Sequence, residues 1–208
     1  MEPSEQVVPL QAVAERIIAR YLVRIEASDV DVVSGSVVSA SRGIDLTYAT
    51  PDGGRRSIKV KADPYFGTDS KKITDRSLSF YRAETGSFAF ESVADAATRE
   101  PGWMVDSEAD DLYYYYLALS QEVEKVRALL RQPDDIFFSE IRVERDDLIV
   151  LPMAATRRWF LERAGNYPPR PVSLGERSAW YRLVPRSDVQ RQVQGVRIVG
   201  PVFPGLAT

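Results

Sequence analysis

In the stretch "SIKVKAD", Ser57 to Asp63, the apolar residues Ile58, Val60 and Ala62 alternate with Lys59, Lys61 and Asp63. A period of two puts the apolar side chains on one face of an extended strand and the charged ones on the other. Such a strand needs an apolar layer against one face, and the other face must stay wet or satisfy its charges internally. The layer is available upstream. In "PLQAVAERIIARYLVRI", Leu10, Val13, Ile17 and Tyr21 recur at helical spacing and Ile18 widens the stripe, so a helix is expected to lie on the sheet that holds the alternating strand.

Around that pair the pattern predicts a strand meander. "DVDVVSGSVVS" and "GIDLTYAT" read as strands, and the second joins "RRSIKVKAD" through the turn residues Pro51, Asp52, Gly53 and Gly54. "SLSFYRAETGSFAFESVA" reads as two extended pieces. After the turn at Pro101 and Gly102, Asp106 or Ser107 offers an N-cap, and the four tyrosines that follow fit either a buried strand or the end of a helix. "SQEVEKVRALLRQ" is expected as a short amphipathic helix. "DIFFSEIRVERDDLIVLP" is expected as a hairpin turning near Arg145 to Asp147. "MAATRRWFLERAG" is expected as a helix closed by Gly165, and "NYPPRP" as an extended linker. "SAWYRLVP" and "VRIVGPVF" complete the list as late strands.

The 208 residues contain no cysteine and no histidine. That excludes disulfides, thiolate nucleophiles, the usual zinc sites and a Ser-His-Asp triad. Any catalysis therefore falls to Asp, Glu, Lys, Tyr or Ser, or to a metal bound by oxygen. No apolar run is long enough to span a bilayer and the first residues do not read as a secretory leader, so the expected partners include no membrane and the expected location is the cytoplasm.

Charge is unevenly distributed. Residues 151–208 carry nine arginines, no lysine and three acids, a balance of +6, which leaves −9 for residues 1–150. An all-arginine segment suits bidentate contacts to phosphate or carboxylate, and it equally suits docking onto the acidic part of its own chain.

The order of these motifs resembles the PD-(D/E)XK superfamily of restriction-endonuclease-like nucleases. The matching residues are Gly43, Ile44 and Asp45; Val60 and Lys61; Ala89, Phe90 and Glu91; then Gly102, Trp103, Ser107, Ala109, Leu112, Tyr115 and Tyr116. With the flanking elements, the resemblance covers about residues 10 to 120. The resemblance implies an α/β fold with a restriction-endonuclease-like core, a mixed β-sheet flanked by helices, and a C-terminal strand/helix extension. Residues 1–150 would form the nuclease-like core, and 151–208 a basic extension packed on the same domain.

What the resemblance implies chemically is Mg²⁺-dependent cleavage of nucleic-acid phosphodiester bonds. A hard cation held by carboxylates neutralises the phosphate oxygens and acidifies the attacking water. Asp45, Lys61 and Glu91 carry over as catalytic residues, and Asp45, Asp63 and Glu91 as metal ligands, with Glu15 a further carboxylate candidate. Lys59, Arg157 and Arg158 are expected to contact nucleic acid, and a homodimer fits the superfamily. Lys59, however, stands where the resemblance expects an acid. An ammonium about 4 Å from a divalent ion is repelled by about 8 kcal/mol at an effective dielectric of about 20. The alternative expectation is therefore a catalytically inactive nuclease-fold module for nucleic acid or protein. A third reading is an unrelated α/β protein in which Asp45 is an edge aspartate, Lys59 and Lys61 are solvated, Asp63 starts a turn at Pro64 and Glu91 pairs across the sheet.

Overall fold

The apolar stripe of the first helix finds its sheet. In a computed structural model that describes residues 3–64, 86–175 and 177–205, α1 (Pro3–Arg24) buries Val13, Ala14, Ile17, Ile18 and Leu22 completely. These residues pack on Leu46, Ile58, Val60 and Ala62, the apolar half of the alternating strand. The remaining elements are β1 (Ser28–Val32), α2 (Val37–Ser41), β2 (Leu46–Ala49), β3 (Arg55–Asp63), β4 (Ser87–Asp95), β5 (Glu100–Pro101), α3 (Trp103–Asp106) and β6 (Asp111–Leu119). They are followed by α4 (Val123–Leu129), α5 (Asp134–Glu140), β7 (Val143–Pro152), α6 (Met153–Arg163), β8 (Pro169–Leu174), β9 (Arg177–Pro185), α7 (Arg186–Gln192) and β10 (Arg197–Gly200).

The architecture is mixed α/β, with an open mixed sheet flanked by helices. Six strands form it in the order β1-β2-β3-β6-β7-β10. Only β3 and β6 run parallel, with Lys59 beside Leu112 and Lys61 beside Tyr114, and every other pair is antiparallel. One face is covered by α1, α4 and α5, whose Val126, Leu129, Phe137 and Phe138 join the first core. The other face is covered by α6, α7 and a second sheet, β5-β4-β9-β8. Phe88, Phe90 and Val184 of that sheet meet Tyr114, Tyr116, Ile149 and Phe160 there. The arginine-rich part of the chain is woven into both sheets, since β9 pairs with β4 and β10 pairs with β7.

Several local expectations are corrected. Residues 134–152 are not a hairpin but a helix followed by a long strand. Asp134 and Asp135 sit in the first turn of α5, where they favour the helix N-terminus, and the run Phe137–Phe138 is buried against α4 rather than alternating across a strand. Ser107 does not start a helix. It ends the one-turn α3, and its hydroxyl donates to the Gly43 carbonyl at 2.8 Å. The tyrosine run is the buried strand β6, paired on both sides. "NYPPRP" contributes the edge strand β8, where a proline removes no needed ladder bond. Only the later of the two extended pieces expected around Glu84 to Ser87 can be placed, as β4; the earlier one lies outside the described residues. Among the described residues no helix is long and apolar enough to cross a membrane.

Candidate functional site

The two strands at the centre of the site, β2 and β3, separate beyond the last of their four paired positions. β2 pairs with β3 as far as Leu46 opposite Ile58, and Gly43, at φ 63°, turns the incoming chain away from the sheet. Beyond that point the β3 backbone keeps β6 on one side and would lose its partners on the other. Side chains replace them. Val60 N–H donates to Asp45 Oδ2 at 2.7 Å, the Gln11 amide donates to the Val60 carbonyl at 3.0 Å, and Ala62 N–H donates to Gln11 Oε1 at 3.1 Å. The gap that opens between β2 and β3 is thus bridged by polar side chains that take the place of the strand ladder.

Asp45 lies at its mouth and is 7% exposed. Lys59 Nζ donates to Asp45 Oδ1 at 3.2 Å, and the two side chains are 18% and 9% exposed, so the ion pair is largely removed from water. Glu15, from α1, lies beside this pair. It accepts from Ser34 Oγ at 2.7 Å and from the Gln11 amide at 2.8 Å. Burial pushes the carboxyls of both Glu15 and Asp45 above their ordinary range, against the pull of Ser34 and Gln11 on the first and of Lys59 and the Val60 N–H on the second.

The second half of the site lies where β4 and β9 approach β3. Lys61 Nζ sits 5.6 Å from the centre of the Tyr181 ring, and its charged neighbours are Asp63, Glu91 and Lys59. Asp63 is 3% exposed and accepts a short bond from the Tyr114 hydroxyl at 2.5 Å. Glu91 faces Tyr181 across the β4–β9 ladder and accepts from its hydroxyl at 3.3 Å. Burial raises the Glu91 carboxyl, with Lys61 and Tyr181 opposing, and burial lowers the Lys61 ammonium against the attraction of Asp63 and Glu91.

The structure brings Asp45, Lys59, Lys61, Asp63 and Glu91 into one neighbourhood, in two subgroups rather than one ligand set. Asp45 is held by Lys59, and Glu91 lies with Lys61. Among the described residues no group of three or more carboxylates is placed to hold a metal ion. With an ammonium on Asp45, the donor set does not fit Mg²⁺.

Arg157 turns inward. Its guanidinium donates to the carbonyls of Met104 and Ser107, which clamps α3 to α6. Arg158 is exposed on α6. Gln11, Ser34, Tyr114 and Tyr181 were not legible as site residues. Gln11 and Glu15 did carry a signal, being four apart on the sheet-facing side of a helix whose other members there are apolar.

Known proteins offer no guide: no family model matches the chain, and no curated protein or solved structure shows significant similarity to it.

The buried carboxyls predict an unusual pH response. Glu15, Asp45 and Glu91 are all raised from ordinary values of 4.5, 3.8 and 4.5. The folded chain therefore keeps protons that the unfolded chain has released. Stability from these groups is full below those ordinary values and is lost as pH rises through the folded ones. The melting temperature should rise between about pH 7 and about pH 5 and rise less in Glu15→Gln. A melting temperature that falls over that interval in both proteins contradicts the assignment.

Proposed function

We propose that this chain is a divergent nuclease-fold protein of the PD-(D/E)XK type that binds nucleic acid without metal-dependent cleavage. Support for the fold comes from order and position. A helix packs beside the strands that carry Asp45 and Lys61, the strand pair opens at Asp45, and the lysine-bearing strand runs parallel to the next strand of the sheet. The observation that carries the loss of cleavage is the Lys59 ammonium 3.2 Å from Asp45. It supplies a cation to the carboxylate that would otherwise recruit one, and it is covalently attached.

The other reading, a Mg²⁺-dependent endonuclease with Asp45, Lys61 and Glu91 as its catalytic set, is favoured by Lys61 lying between Asp63 and Glu91. It requires Lys59 to leave Asp45. The nucleic-acid contacts in the proposed function fall to exposed arginines such as Arg158, because a site holding Glu15, Asp45, Asp63 and Glu91 around two lysines does not attract phosphate.

Two measurements test this. The parent protein should shift oligonucleotides in gels in the presence of EDTA, with affinity falling as salt rises, and should leave plasmid and single-stranded DNA intact with Mg²⁺ or Mn²⁺. Metal-dependent cleavage that disappears in Asp45→Ala would overturn the proposal. In calorimetry, Lys59→Glu should gain Mg²⁺ affinity over the parent by at least about tenfold, since about 8 kcal/mol of repulsion is replaced by attraction. Equal, weak binding by both proteins would mean that position 59 is not part of a former metal site.

A further inference from the structure

α1 carries a second stripe, opposite the one that meets the sheet. Ala12, Arg16, Ala19 and Val23 recur at i, i+4, i+7 and i+11. A helix face that met only water would be mostly charged, and three of these four are small or aliphatic. They form the floor of a groove of about 630 Å³. Val30 and Val32 of β1 line one wall, and the chain from Leu130 to Asp134, between α4 and α5, lines the other.

Both walls are tied to the floor. Glu15 accepts from the Ser34 hydroxyl, just after β1, at 2.7 Å. Arg16 donates to Asp134 and to the carbonyls of Leu130 and Gln132. The groove is therefore preformed, and the two acids that line it are already bonded within the protein. Its aliphatic side chains are not covered, since Val23 is 54% and Val32 51% exposed. Arg20 also lines it, and Arg24 stands one turn further along the same side of α1. Both arginines are exposed. Their guanidinium groups lie 5.9 and 6.0 Å from the Phe138 and Tyr21 rings, and neither bonds to a described polar group.

We propose that this groove receives an acidic amphipathic helix of a partner protein. An aliphatic floor is matched by an aliphatic helix face, and a row of two arginines, with the acids of the groove bonded elsewhere, is matched by carboxylates flanking that face. From Ala12 to Val23 the floor runs about 16 Å, or about three helical turns. Addition of a strand at β1 fits less well. The pairing register of β1 breaks between Ser28 and Asp31, and Asp29 and Asp31 stand on that strand, both of which blunt an edge. Nucleic acid also fits less well, because aliphatic side chains give a base no ring to stack on. The groove lies on the α1 side of the six-stranded sheet and Lys61 on the other, so a partner here is independent of the nucleic-acid-binding reading.

The test titrates the full chain into a fluorescein-labelled peptide of about four helical turns, with leucine at i, i+3, i+4 and i+7 of each repeat and glutamate beside that stripe. A second peptide has lysine in place of every glutamate. Anisotropy at low salt should show the acidic peptide bound at least about tenfold more tightly than the basic one. The double variant Arg20→Glu/Arg24→Glu should reverse that order, and Val23→Ser/Val32→Ser should weaken the acidic peptide about tenfold. All four positions are exposed, so both variants should melt close to the parent. No binding of the acidic peptide, equal affinity for the two peptides, or an acidic-peptide affinity that Arg20→Glu/Arg24→Glu leaves unchanged overturns the proposal. So do two other occupants. If nucleic acid fills the groove, Arg20→Glu/Arg24→Glu abolishes the oligonucleotide gel shift and the peptide does not bind. If a second copy fills it, the parent sediments as a dimer that Val23→Ser/Val32→Ser dissociates, again without peptide binding.

Discussion

Asp45→Ala should cost about 3–5 kcal/mol of stability, because it leaves Lys59 charged and largely buried with its partner removed. It also strips the acceptor from the Val60 N–H, which has no β2 residue opposite it. In a chain of this size that corresponds to a fall in melting temperature of about 10 °C. Asp45→Asn keeps an oxygen for Val60 and should lose less. Adding Lys59→Met to Asp45→Ala should recover more than half of the loss, since an apolar side chain of similar length demands no counter-charge. Thermal and urea melts of the three variants and the double variant complete the cycle. Additive losses in the double variant would show that the two side chains are not coupled and would remove the basis for treating Lys59 as a tethered cation.

Gly102→Ala is expected to be comparably severe, at about 3 kcal/mol, although the change is a single methyl group. Its φ of −78° is ordinary for any residue, so the demand for glycine comes from space and not from backbone conformation. A Cβ at position 102 would overlap the Glu91 backbone carbonyl, with the Glu91 Cγ also 2.8 Å away. The turn that leads into α3 therefore lies directly against β4, and Arg157 holds it there from the other side through the carbonyls of Met104 and Ser107. Displacing this turn moves Glu91. Gly102→Ala should accordingly lower the melting temperature. A variant with parent-like stability would show that the close approach is easily relieved.

The α1 stripe, the alternation of β3 and the turn at Pro51 to Gly54 were readable because each is a local pattern. Period and turn chemistry act over a few residues, and burial follows them: Ile58, Val60 and Ala62 face the α1 core and Lys59, Lys61 and Asp63 do not. The helix α5 was misread for the converse reason. Adjacent apolar residues at 136–138 fit a buried strand as well as a helix, and packing against α4 chose between them.

The second sheet was beyond any local pattern. It pairs Phe88 with Val184 and Glu91 with Tyr181, and the contacts that select such distant partners are visible only once both strands are in place.

The sequence by itself determined which chemistries are open to this protein. Without histidine or cysteine, carboxyl, amine and hydroxyl groups are what remains, and the spacing of Asp45, Lys59 and Lys61 brought them to one strand pair. Only the tertiary structure decided how those charges divide. Two lysines on one strand face compete for the same acids, and which acid each reaches depends on distances of a few ångströms set by α1, β4 and β9. Asp45 lies within reach of Lys59, and tyrosines from β6 and β9 hold Asp63 and Glu91. Electrostatic energy in a partly buried site is steep over that range, so the residue list alone left the assignment of partners open.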